Sequence, residues 1–319
     1  MKTRHAQYLF AFVLGVVIAV SFARAQPAHL TLAQQFVNDI DAGQLSGPLT
    51  YKNAANEDVA YNRYGGSWSG ADAYIVKLAT ATTRAENYTV CAPLVSLLLQ
   101  RAYPGWSWSS VTFTDTLKPA GKQSVTTASP FPYQYVKLMQ QQKGFPDGPV
   151  ATLDAVRPGY VFALWQPALT TQANDHAGLV VAVRLNAALD YPSSAAAADA
   201  AYAGTRLVPV DIIDSSKNPH GPDDSRIFTV TQTVNLADGT SAVTSTTYTT
   251  QGVGAGTMGV LVNAAGTVLG HIWSLPAGNP ASTDATEVAN WLTTFHANLR
   301  LQSDRELLFA RHVKQAVTP

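Results

Sequence analysis

A helix that opens on the chain's sole cysteine and is apolar almost all the way round sets the terms for the rest of the fold. The stretch runs Tyr88-Thr89-Val90-Cys91-Ala92-Pro93-Leu94-Val95-Ser96-Leu97-Leu98-Leu99, and it holds the only cysteine in 319 residues. Pro93 suits the first helical turn, where its missing N–H leaves no bond unmade. Leu94, Val95, Leu98, Leu99 and Ala102 recur at helical spacing, and Leu97 fills much of the gap between them. A helix with so wide an apolar surface is covered on most sides. Cys91 is then expected at its N-terminal end, where the free N–H groups and the macrodipole favour an anionic sulfur. The competing reading is a small buried hydrophobe.

The first residues bear on that choice. Lys2, Arg4 and His5 form a basic n-region, Leu9 to Val20 is an apolar run of h-region length, and Ala23-Arg24-Ala25 is an A-x-A cleavage site. Residues 1–25 therefore read as a signal peptide, with the mature chain starting at Gln26. The apolar run is shorter than a bilayer span and no other segment suits one. The expected product is exported, periplasmic or secreted, with no membrane association after cleavage. In an oxidising compartment a lone cysteine has no intrachain partner, so it is either inert or kept for reactivity.

The expected mature chain carries 18 Lys+Arg against 21 Asp+Glu. That is no footprint for nucleic acid or an anionic membrane surface. The seven histidines show neither HExxH nor Cys/His ligand spacing, and one cysteine cannot build a structural zinc site. Phosphate-loop, haem and GxSxG signatures are absent too. Neither a metal nor a cofactor is expected.

Along the chain, a helix is expected over Leu32–Ile40 as an N-terminal strap, a loop-rich stretch over 51–70, and a short helix over 71–81. Residues 118–132 read as a surface loop and Tyr133–Gln142 as an amphipathic helix. Tyr160–Trp165 is a short apolar strand. Asp175 and His176 lead into a second strand, Ala177–Leu185, and Thr205–Ile213 is a third, with Asp214 at its end. If the second and third pair antiparallel, the first residue of one lies beside the last of the other. His176 and Asp214 then share a sheet edge, and a helix crossing that sheet brings Cys91 over it. Nucleophile, base and orienter are the parts of covalent catalysis: Cys91 attacks as thiolate, His176 shuttles the proton, and Asp214 fixes the imidazole tautomer.

This pattern resembles the NlpC-type cell-wall endopeptidases, a branch of the papain-like cysteine peptidases. Their Cys-Ser/Ala-x-Leu/Phe-Val helix start is matched by Cys91-Ala92-Pro93-Leu94-Val95. Their Gly-Asp-Val/Leu strand is approximated by Gly159-Tyr160-Val161-Phe162, and His-Val-Gly-Ile-Tyr by His176-Ala177-Gly178-Leu179-Val180. The third polar residue falls at Asp214, where the family commonly has His. The resemblance spans about residues 60–216. It implies an α+β fold with a papain-like NlpC-type core, in which the nucleophile helix packs on an antiparallel sheet. Residues 26–319 then form one catalytic domain, with a β-hairpin-rich extension and a C-terminal helix over about 217–319. The family's oxyanion tyrosine has three candidates here: Tyr61, Tyr64 and Tyr88.

Beyond the resemblance, Ile227–Leu236 and Ser241–Thr250 flank Asp238-Gly239 as a hairpin. Gly254-Ala255-Gly256-Thr257-Met258-Gly259 fits GxGxxG but opens a strand with no helix after it, which argues against dinucleotide binding. Thr283–Leu301 reads as an amphipathic helix, continued by Asp304–Val313. Tyr88, His220 and Arg226 are the substrate-binding candidates. For His220 and Arg226 a structural loop is the alternative to a role as cationic partners of substrate carboxylates. The function these observations suggest is an exported cysteine hydrolase cutting amide bonds in peptidoglycan peptides. The alternatives are an amidase or acyl transferase on the same fold, or a non-catalytic wall-binding or periplasmic assembly protein.

Overall fold

A computed structural model describes residues 26–70, 72–115, 124–167, 175–196, 199–235 and 240–315. The expected signal peptide and the hairpin tip at Asp238-Gly239 lie outside the described residues. The fold is α+β. Its centre is an antiparallel sheet ordered Arg300–Leu301, Val268–Ile272, Gly252–Val262, Arg206–Ser216, His176–Val183, Val161–Trp165 and Glu306–Ala310, with Leu189–Asp190 beside the start of Arg206–Ser216. The sheet curls until Val268–Ile272 approaches Glu306–Ala310, and Gln302 N–H donates to the Leu269 carbonyl at 2.8 Å.

Because strand side chains alternate, each apolar strand feeds two cores. Phe162, Leu164, Val180, Val210, Ile212, Val260 and Phe309 point into the concave interior. Val161, Ala163, Ala177, Leu179, Ile213 and Ala310 point outward against three helices, Ala28–Ser46, Cys91–Ala102 and Pro132–Gln140. A fourth long helix, Ala285–Asn298, packs Trp291 and Phe295 on Leu207, Leu261 and Ile272. Leu94, Val95, Leu98 and Leu99 of the cysteine helix are fully buried. At about 2 kcal/mol for each such side chain, taken as an upper bound, that face alone anchors the helix to the sheet.

Two sequence expectations are corrected. Over 72–81 the chain is not helical: Ile75–Lys77 is a strand pairing antiparallel with Glu86–Thr89, which also pairs in parallel with Asn62–Tyr64. Val76 is buried there, and a β-branched pair suits a strand. Residues 304–313 do not prolong the C-terminal helix either. Glu306–Ala310 is a strand on Val161–Trp165. Leu307 and Phe309 face the interior while Leu308 and Ala310 face the helices. The last third thus completes the sheet that carries His176 and Asp214. Only the hairpin Ile227–Asn235/Ser241–Thr249 stands apart, pairing with itself and largely exposed. No described helix is long and apolar enough to cross a membrane.

Candidate active site

Cys91 is the first residue of its helix, preceded by extended Val90. The approach is fixed from the sheet side, because the Thr89 carbonyl accepts the Ser215 hydroxyl at 2.7 Å and the Gly65 N–H at 3.2 Å. The first helical bond runs from Leu94 N–H to the Val90 carbonyl at 3.1 Å. The N–H groups of Cys91 and Ala92 therefore lie before the hydrogen-bonded ladder, at the positive end of the helix.

The strands His176–Val183 and Arg206–Ser216 pair antiparallel with Asp214 opposite Gly178. His176, two residues earlier, closes onto Asp214: its Nε2 donates to Asp214 Oδ2 at 2.6 Å. Cys91 lies close enough for its charge and side chain to favour the protonated ring, and with Nε2 on Asp214, Nδ1 is the nitrogen left to face it. Trp273 packs edge-on against the imidazole, with centroids 4.8 Å apart and planes at 86°. Burial works against a charged His176, but the Cys91 and Asp214 charges and hydrogen bonds outweigh it and push the imidazole up to about 9. Burial likewise disfavours ionised Asp214, yet Arg226, His220 and His176 together hold its carboxyl well below the usual range. The structure thus brings Cys91, His176 and Asp214 into one cluster.

His220 and Arg226, expected at a substrate, sit elsewhere. Both are buried behind Asp214. His220 Nε2 reaches Asp214 Oδ2 at 2.8 Å, its Nδ1 donates to the Trp273 carbonyl at 2.9 Å, and its ring stacks on Trp273 at 3.8 Å. Arg226 forms an ion pair from Nη1 to Asp214 Oδ1 at 3.0 Å. It also grips Asp224 with two bonds, Nε to Oδ1 at 2.7 Å and Nη2 to Oδ2 at 2.5 Å. Asp224 Oδ2 in turn accepts the His220 N–H at 2.8 Å. These groups are spent on each other and on Asp214, so they orient the orienter and have no free face for a ligand.

The GxGxxG run is what lets this loop lie flat on the strand. A Cβ on Gly254 would stand 2.7 Å from Arg226 Nε, and one on Gly256 would meet Asp224 and come 2.8 Å from His220 Cβ. The spacing that mimics a nucleotide fingerprint is a seat for the Asp224–Arg226 pair.

Of the three tyrosines, Tyr64 is the one at the cysteine. Burial, then the Cys91 and Asp214 charges, hold its phenol firmly protonated. Tyr61 lies instead under Arg84 and beside Tyr51. Tyr88 lies under the Arg63 guanidinium at 3.9 Å and against Gly65. Tyr74, which no sequence pattern marked, joins Tyr64. Burial and Cys91 raise its phenol as well, and it packs edge-on with exposed Trp68 at 5.1 Å. Lys217 is exposed, with Nζ 5.7 Å from the Tyr64 ring. Asn87, in the sequon Asn87-Tyr88-Thr89, is fully buried and donates to Asn62 Oδ1 and the Arg63 carbonyl.

Among the described residues no group of His, Cys, Asp and Glu could hold a metal ion. Comparison with protein-family models, with curated proteins and with solved structures finds no match to this chain, so the functional reading stands on sequence and geometry.

Proposed function

We propose that this chain is a papain-like cysteine hydrolase of NlpC type, exported and acting on amide bonds of peptidoglycan peptides. The observation that carries the reading is the single cysteine at a helix N-terminus, beside a histidine that its charge favours protonated and whose Nε2 is held 2.6 Å from a buried carboxylate. A structural cysteine has no use for that arrangement, whereas nucleophilic catalysis needs each part of it.

In the proposed reaction the Cys91 thiolate attacks the amide carbonyl carbon. The carbonyl oxygen becomes an oxyanion, with the helix N-terminal N–H groups and the Tyr64 hydroxyl as its donors. His176, protonated, passes its proton to the leaving nitrogen as the C–N bond breaks, leaving a thioester on Cys91. A water then loses a proton to His176 and attacks the thioester, which frees the acid and restores the thiolate–imidazolium pair. Asp214 keeps Nε2–H pointed away from the sulfur, so Nδ1 is the nitrogen that carries the travelling proton. Lys217 is the cation left exposed beside Tyr64 for a substrate carboxylate. The test is direct: muropeptides incubated with mature protein should yield shorter peptides, each cut adding one water by mass spectrometry, and Cys91→Ala should yield none. Unchanged muropeptides that nonetheless bind the protein tightly would favour the non-catalytic alternative.

A further inference from the structure

The concave side of the sheet has a cationic corner that the triad does not use. Ile272 faces outward onto Trp291 and Phe295, so by alternation its neighbours His271 and Trp273 face the interior. His271 pairs across strands with Val260, an interior residue, and on its other side with Arg300. Arg305 precedes Leu307 and Phe309 with the same inward parity. It lies close enough to His271 for its charge to oppose protonation of the ring.

Two polar nitrogens end there without partners. His271 is 1% exposed and its Nδ1 has no hydrogen-bond partner; Arg305 is half-buried, but its Nε lies inside and is likewise unpartnered. The acid that acts on Arg305 is Asp175, whose Oδ1 is taken by the Gln166 N–H at 3.1 Å. Burial, Arg305 and Arg300 push His271 down to about 3, burial and Arg300 lower Arg305, and burial lifts Asp175 to about 6. The His271 and Arg305 shifts are those of basic groups in a poorly hydrated site, and burial makes Asp175 a reluctant anion to answer them. Leaving a buried donor unmet costs on the order of 1–3 kcal/mol, so such groups are normally satisfied. Two unpartnered nitrogens beside the Arg305 and Arg300 charges favour a planar anion with two oxygens over a lone water. The corner also adjoins the triad. Trp273, two residues from His271, touches both His176 and His220, and Asp175 directly precedes His176.

We propose that His271 and Arg305 form a carboxylate-binding subsite beside Cys91, His176 and Asp214, with Arg300 adding charge. One oxygen is held by Arg305 and the other by His271 Nδ1–H. The subsite rests on the hydrolase reading only in taking the carboxylate to be the substrate's own; a free small carboxylate is the other source.

The mature Cys91→Ala protein, labelled on its histidine rings, separates these cases by NMR. The probes are acetate, a muropeptide stem peptide with a free C-terminal carboxylate, and the same peptide as its C-terminal amide. Acetate is expected to shift the His271 resonance saturably, with the signal assigned through His271→Asn, and to move its titration upward from about 3. Arg305→Gln should weaken acetate at least tenfold and Arg305→Lys should recover part of that, both checked for native circular dichroism. The acid peptide should bind at least tenfold tighter than the amide. Equal binding of the two peptides, with acetate still bound, keeps the carboxylate site and assigns it to a free anion. A silent His271 resonance overturns the subsite in favour of water and leaves the hydrolase reading untouched. Acetate binding alongside wild-type protein that cuts no muropeptide supports the subsite and defeats the hydrolase reading.

Discussion

Replacing Asp214 by Asn removes the charge that three groups converge on while nearly keeping the side chain's shape. In the native protein His176 is raised from 6.5 to about 9, against the effect of its own burial. That displacement corresponds to roughly 3 kcal/mol in favour of imidazolium, supplied jointly by Cys91 and Asp214. Asparagine loses the Asp214 charge and turns a charge-assisted bond into a neutral one, while burial continues to act. The His176 midpoint is therefore expected to fall clearly below 9, by the part of the rise that Asp214 rather than Cys91 supplies, and the imidazolium fraction near neutral pH to fall with it. A proton donor so depleted, and free to take the other tautomer, should cost two to four orders of magnitude in kcat/KM. Arg226 keeps its two bonds to Asp224, so the fold should survive. The assay is a histidine-ring NMR titration of both proteins, with kcat/KM measured over the same pH range. The wild-type rate should decline as pH rises through about 9, where His176 loses the proton that the leaving group needs. A midpoint that stays near 9 in Asp214→Asn, or a rate within threefold of wild type, would refute the assignment of Asp214 as orienter.

Two further outcomes follow from the buried charges. Arg226→Met strands Asp214 and Asp224 next to each other in the interior, so unfolding free energy in urea should drop by about 3–5 kcal/mol; a loss below about 1 kcal/mol would mean that Arg226 is not their main counter-charge. His312 and His271 are both pushed down to about 3, burial being the larger cause. A histidine depressed in the folded state favours folding above the unfolded value of 6.5 and loses that contribution as pH falls toward 3. Between pH 6.5 and 4 the loss is at most about 3 kcal/mol per histidine. Thermal unfolding should register it, and His312→Phe, keeping a ring among Tyr103, Trp106 and Trp108, should flatten the slope.

Much of this architecture is legible in the sequence, because strongly patterned segments decide themselves. The Cys91 helix and the strands at His176 and Asp214 follow from apolar runs that leave little choice, whereas their antiparallel pairing is only a condition of the sequence reading and their register differs from it: the Asp214 strand runs on to Ser216 and Asp214 lies opposite Gly178. Residues 304–313 fail as a prediction for the opposite reason. Leu307, Leu308, Phe309 and Ala310 are buried or half-buried on both faces of a strand, and a continuous apolar run carries no period to tell strand from helix. The 72–81 segment is too short to show a period at all. His220 and Arg226 were legible as chemistry but not as place. Their pairing with Asp214 and Asp224 depends on how the loop lies over Gly254 and Gly256, and the glycine spacing at that strand was the available signal. Tyr74 reaches the site through a fold of the small three-stranded sheet that no local pattern announces.

The central claim is that Cys91 is a nucleophile maintained by His176. Its most direct test is the rate of Cys91 alkylation by iodoacetamide at pH 6 in native protein, compared with a free model thiol and with His176→Ala. A sulfur paired with imidazolium should react at least tenfold faster than the model thiol, which is almost wholly protonated at that pH. His176→Ala should lose most of that advantage. A Cys91 that reacts only after denaturation, or at the same rate with and without His176, would contradict the account.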